Sequence, residues 1–184
     1  MKMAWWLLVP LLLISCIAGG ANPSRFDAEK LRSRGYAQDV VDSLKERRLI
    51  ADQTLAQIFA QENGKDHDIT FLVLANPGLS LSNQLGFYRS TQNDYARSGL
   101  ATNPALSDDA IQLILKDPSH TVYGKLGWND RVSTEHLRTL KATRVTNLVD
   151  FAYGRNCPPE IENEIRTSND ELAKHWLELR SSKK

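Results

Sequence analysis

The sequence predicts an all-α chain, an α-solenoid of stacked two-helix repeats of about 24–27 residues closed by a C-terminal capping helix. Three observations predict it. Asn76, Asn103, Asn129 and Asn156 recur at steps of 27, 26 and 27 residues. Seven residues before each stand Ile69, Ala96, Val122 and Val149, and three before stand Val73, Leu100, Leu126 and Tyr153. Those columns are four apart, so both lie on one face of a helix. After the asparagine, Leu106-Ser107 and Val132-Ser133 repeat an apolar residue and a good N-cap, followed by the acids Asp108, Asp109 and Glu135 where a helix dipole favours them.

In chain order, the first element is not fold. MKMAWWLLVPLLLISC places Lys2 before an apolar run from Ala4 to Ile14. The run is shorter than the roughly 20 residues a membrane span needs and reads as a secretory signal over residues 1–15. Leu13-Ile14-Ser15-Cys16 resembles the bacterial lipobox. That resemblance implies cleavage before Cys16, acylation of its thiol and of the new amino terminus, and stable membrane anchoring by several chains. The alternative is an ordinary signal cut near Ala18-Gly19-Gly20-Ala21, with Cys16 discarded. Residues 16–25 read as a flexible tether, from the small-residue composition of AGGANPS, and residues 26–184 as one helical repeat domain. Ile17 stands where an inner-membrane retention signal would have Asp, and the resemblance to Gram-negative lipoprotein sorting then implies an outer-membrane protein facing the periplasm.

Within the domain, Ala37 to Leu44 is a weak match to a capped first helix and Asp52 to Phe59 a good one. The clearest units are about 69–103, 104–129 and 130–156. After Asn76, GLSLSNQLGFYRS fits only with a shift of about one residue. Each unit reads as a capped helix, a turn such as Lys116-Asp117-Pro118-Ser119, and a second helix ending at the Asn, which proline helps to stop. In the last unit Pro158-Pro159-Glu160 starts the helix instead, proline suiting its first position. Ser168-Asn169-Asp170-Glu171 matches a capping box, and Leu172, Trp176 and Leu179 make the stripe of the closing helix.

The stretch ARSGLATNPALSDDAIQLILKDPSHTV resembles the leucine-rich-repeat variant unit at Ala96-Arg97, Leu100-Ala101, Asn103-Pro104, Ser107, Ile111, Ile114 and Asp117-Pro118. The resemblance spans about 50–165 and is strong in one unit. It implies a right-handed superhelix of alternating α and 3₁₀ helices, and a tendency to bind rather than a shared activity. The family's step is nearer 24 residues. Its founding member's iron–sulfur cluster has no cysteine ligands here.

Composition narrows the chemistry. The net charge is +1, and outside the tail no polybasic block stands ready for nucleic acid or anionic lipid. The two cysteines are Cys16 and Cys157, so neither a zinc nor an iron–sulfur site is expected, and no cofactor or metal. Cys157 reads as a small packing residue at a turn, an intermolecular disulfide being the alternative. His67 and His120 hold equivalent positions at the start of second helices, where the intervening unit has Asp94; structural roles explain them, as capping explains Asp108, Asp109 and Glu160. No nucleophile elbow, phosphate loop or His-Glu-x-x-His motif occurs, so the protein is read as non-catalytic. Tyr95, Tyr123, Trp128 and Arg155 form the candidate binding surface, since the column before the Asn (Ala75, Thr102, Trp128, Arg155) varies as a surface edge does and exposed aromatics and Arg dominate hot spots. The expected function is a protein- or peptide-binding scaffold of the envelope. An immunity- or exclusion-type lipoprotein, and a hydrolase accessory using His120 with nearby acids, are the alternatives.

Overall fold

The computed structural model describes residues 28–182; the signal, Cys16 and the tether lie outside the described residues. Described residues form helices and turns, with no strand among them. Twelve α-helices follow in order: α1 (Ala28–Ser33), α2 (Gln38–Lys45), α3 (Asp52–Glu62), α4 (His67–Leu74), α5 (Leu81–Ser90), α6 (Asp94–Ala101), α7 (Asp108–Leu115), α8 (His120–Tyr123), α9 (Thr134–Thr143), α10 (Val149–Ala152), α11 (Pro159–Thr167) and α12 (Glu171–Ser181). A 3₁₀ helix, Gly124–Trp128, continues α8. None of the described helices is long and apolar enough to cross a membrane.

The starts follow from local chemistry. Ser80, Ser107 and Ser133 each accept a backbone N–H from three residues on, at Asn83, Ala110 and His136. All three stand four residues after an Asn, so the shift expected beyond Asn76 does not occur: Leu79 and Ser80 are in register with Leu106-Ser107 and Val132-Ser133. Asp66 and Asn93 cap α4 and α6 in the same way, and Pro159 opens α11. The final helix departs from expectation. Asp170, not Ser168, is its cap, accepting from Ala173 N–H at 2.9 Å, while the Ser168 hydroxyl donates to Ile165 O. Its buried face is Ala173, Trp176 and Leu177, and Leu172 points outward.

Helices of alternate position pack together. In the second-helix series α2 meets α4, α4 meets α6, α6 meets α8, the 3₁₀ turn meets α10, and α10 meets α12. In the first-helix series α3 meets α5 and α5 meets α7. Segment 37–44, expected as a first helix, therefore belongs to the second series: Val41 and Leu44 are fully buried and α1 precedes it. One continuous core runs from Leu31 to Leu177.

The repeated asparagines bind one turn to the next. Asn103, fully buried, donates from Nδ2 to Leu74 O and Asn76 O (3.0 and 2.7 Å), and its Oδ1 accepts from Ala105 N–H. Asn129 donates to Ala101 O and Asn103 O and accepts from Arg131 N–H. Asn76 donates to Arg48 O, and its Oδ1 accepts from Ile50 N–H and Gly78 N–H. The carboxamide satisfies carbonyls that a helix end leaves open. Both ends of this ladder differ. Ile50 takes the Asn place and has no amide to extend the ladder upstream. Asn156 reaches three residues further along, to Asp130 O and Val132 O. Gly154 O instead accepts from Arg180 of α12 at 2.7 Å, with that guanidinium held by Glu162.

Candidate functional site

The residues expected to share a surface sit at different places along the second helices. Tyr95 is in the first turn of α6, half-buried, with its ring stacked on Phe71 at 5.0 Å. Tyr123 does not belong to a surface. It is only 5% exposed, its hydroxyl donates to Val145 O, and Arg144 lies over its ring. The sequence groups it with the surface as one of the aromatics of the middle units, but its ring lies between α8 and the loop after α9. Trp128 and Arg155 do share one end of the molecule, the side where the asparagines turn the chain. Trp128 is half-buried, donates its indole N–H to Val149 O at 3.2 Å and packs on Tyr153. Arg155 is exposed and pairs with Asp130.

Two residues that sequence reasoning passed over complete this region. Lys125 carries its ammonium 4.0 Å from the centre of the Trp128 ring, a cation–π geometry. Burial pushes its pKa below the ordinary lysine value, and the nearby Asp150 charge partly restores it. Lys125 stands four before Asn129, where the sister units have Leu72, Gly99 and Ala152. Asp150, 8% exposed, takes a hydrogen bond at 2.8 Å from His120 Nε2, so His120 does have an acid beside it. The same carboxylate oxygen accepts Asn147 N–H, while Asp150 N–H donates to Asn147 O. The pair closes a backbone turn from Asn147 to Asp150 that leads into α10. Asp150 thus stands in the first turn of α10 and ties it to α8.

Glycine makes the close stacking possible here. A Cβ on Gly127 would stand 1.8 Å from Asp150 O, and one on Gly154 1.9 Å from Gly127 O. The column two before the Asn (Leu74, Ala101, Gly127, Gly154) shrinks towards the carboxyl end, and that trend was the available signal for this contact.

The other candidates fall into structural places. His136 N–H is the first-turn donor to Ser133, and its ring approaches Gln112 at 3.1 Å. Asp108 and Asp109 occupy the first turn of α7, and Glu160 pairs with Arg138 across to α9. His67 and His120 open α4 and α8, with Asp94 opening α6 between them. Among the described residues no three His, Cys, Asp or Glu side chains converge as metal ligands would. Cys157 is buried, with its thiol pKa pushed up to about 11 by burial.

No protein-family model matches the chain, and no curated protein or solved structure matches it either.

Proposed function

We propose that the protein is a right-handed α-solenoid of leucine-rich-repeat-variant type, closed by α12, that acts as a non-catalytic scaffold for an envelope protein or peptide. In this reading the scaffold is tethered by lipid on Cys16 to the outer membrane and faces the periplasm. The cross-turn asparagine bonds and the alternate packing of helices support the stacked architecture, because repeat units bury their faces only against their neighbours. The observation that carries the binding role is Trp128 at the turn edge, half-buried with Lys125 on its face and the exposed Arg155 on the neighbouring turn. A rigid aromatic anchor beside cations is what interface hot spots use.

The test is a photo-crosslinker placed at Arg155 in intact envelopes, in the wild-type, Trp128→Phe and Trp128→Ala backgrounds. The scaffold reading expects one crosslinked partner, retained with Phe and lost with Ala. A crosslink pattern identical in all three contradicts the Trp128 edge. Cys16→Ser is expected to release the protein from membranes; unchanged fractionation contradicts the lipid anchor.

A hydrolase-accessory reading draws on the His120–Asp150 pair, since a buried carboxylate orients imidazole for proton transfer. The scaffold reading is preferred because Asp150 already has a structural task, accepting Asn147 N–H in the turn that leads into α10. His120→Ala separates them: the scaffold keeps its partner, whereas a catalytic accessory loses the activity it supports.

A further inference from the structure

A second site lies away from Trp128, at the opposite ends of the second helices. The turn after α3 and the turn after α5 face each other across a groove of about 400 Å³. Asn63 and Gly64 form one wall, the segment from Ser90 to Asn93 forms the other, and His67 stands at the start of α4 between them. The walls meet through Asn63, whose Nδ2 donates to Ser90 O at 3.4 Å; the Thr91 hydroxyl donates to Phe87 O at 2.8 Å and lies 3.4 Å from Asn63 Oδ1. Thr91 and Asn93 are in extended conformation, which spreads the second wall along the groove.

The lining chemistry is uniform. It contains three carboxamides, two hydroxyls, an imidazole and a glycine, with no aliphatic or aromatic side chain and no Lys, Arg, Asp or Glu. Among the described residues, the Gln92 amide and the His67 ring have no hydrogen-bond partner. Asn93 commits only its Oδ1, to Ala96 N–H, leaving its Nδ2 for a ligand. Its size is within the range of ligand pockets, roughly 300–1,000 Å³. An anion would find no cation in the lining. No Leu, Ile, Val, Met, Phe, Tyr or Trp side chain lines it, so a peptide anchored by large apolar side chains would find no deep socket; the apolar surface comes from side-chain stems, a methyl and the imidazole ring. What matches is a neutral molecule that offers hydroxyls and amides together with some carbon surface, as a sugar ring does.

We propose that this groove binds a short neutral saccharide, with the Gln92 carboxamide, Asn93 Nδ2 and the His67 ring as its hydrogen-bonding partners. The site is separate from the Trp128 edge and does not depend on it.

The experiment is an amide NMR titration of the full chain, kept in solution by a phosphocholine detergent, with chitotriose and with maltotriose. Saturable shifts centred on Gly64, Gln92 and Asn93 are expected for at least one of them. His67→Ala and Gln92→Ala, both at exposed positions, should each weaken that binding by about 2- to 10-fold, the worth of one hydrogen bond. Trp128→Phe should leave it unchanged, so failure of the scaffold reading and failure of this one are told apart. Absence of saturable shifts with both sugars overturns the proposal. So does binding that neither substitution weakens, which would place the sugar elsewhere. Saturation by the neutral peptide acetyl-Gly-Ser-Gly-amide but by neither sugar also overturns it and makes the groove a peptide site.

Discussion

Asn103 shows what a single residue contributes. Its carboxamide is fully buried and meets two carbonyls in buried bonds and one N–H in a part-buried one. Asn103→Ala leaves those groups unpaired, and the cost should be about 3 kcal/mol, a few unsatisfied buried groups at roughly 1–3 each, less partial relaxation. Urea unfolding measures it; a loss under about 1 kcal/mol would mean the turns do not depend on the amide. The sequence displayed the spacing of these asparagines but not their purpose, since helix stops and cross-turn donors look alike in one dimension. Gly127→Ala is a sharper test, because its Cβ would be driven into Asp150 O and backbone cannot rotate away as a side chain can. At Cys157, burial holds the thiol protonated up to about pH 11, so iodoacetamide at pH 8 should label it only after unfolding.

At the scale of elements, the caps were legible because a Ser or Asp before an apolar stripe has few other uses. Ser107→Ala and Ser133→Ala should each cost about 1 kcal/mol. The start of α12 was misread by two residues since Ser168 and Asp170 both suit a cap, and the choice belongs to packing of Trp176 and Leu177 on α10. Asp66 joins two elements, capping α4 while pairing with Lys30 of α1. Burial raises its pKa, but the bonds from Lys30 and Ile69 N–H outweigh that and leave it below the ordinary aspartate value. A depressed carboxyl stabilises fully above its unfolded pKa, about 4, and the contribution disappears as pH falls through the lower folded value. Stability followed by urea midpoints should therefore drop below about pH 4, and Asp66→Asn should flatten that acid limb.

For the whole molecule, periodicity carried the helical, repeat-like character, because a stripe that recurs with its turn chemistry has one economical reading. The surface was harder to see. Tyr123 and Trp128 are five residues apart and equally aromatic, yet one fills the core and the other an edge, a difference decided by neighbouring turns. The groove at Asn63 and Asn93 was invisible, since its walls come from two turns about 27 residues apart and its residues are ordinary loop composition. The central claim is that each unit depends mainly on its neighbours, as in a stack. Its most direct test removes one unit, residues 104–129, so that Asn103 joins Asp130 just as Asn129 does in the native chain. The account predicts a helical protein that still unfolds in one cooperative transition by circular dichroism, shortened by one step. A deletion product without a cooperative transition would contradict a stack and point to a bundle whose core needs every helix.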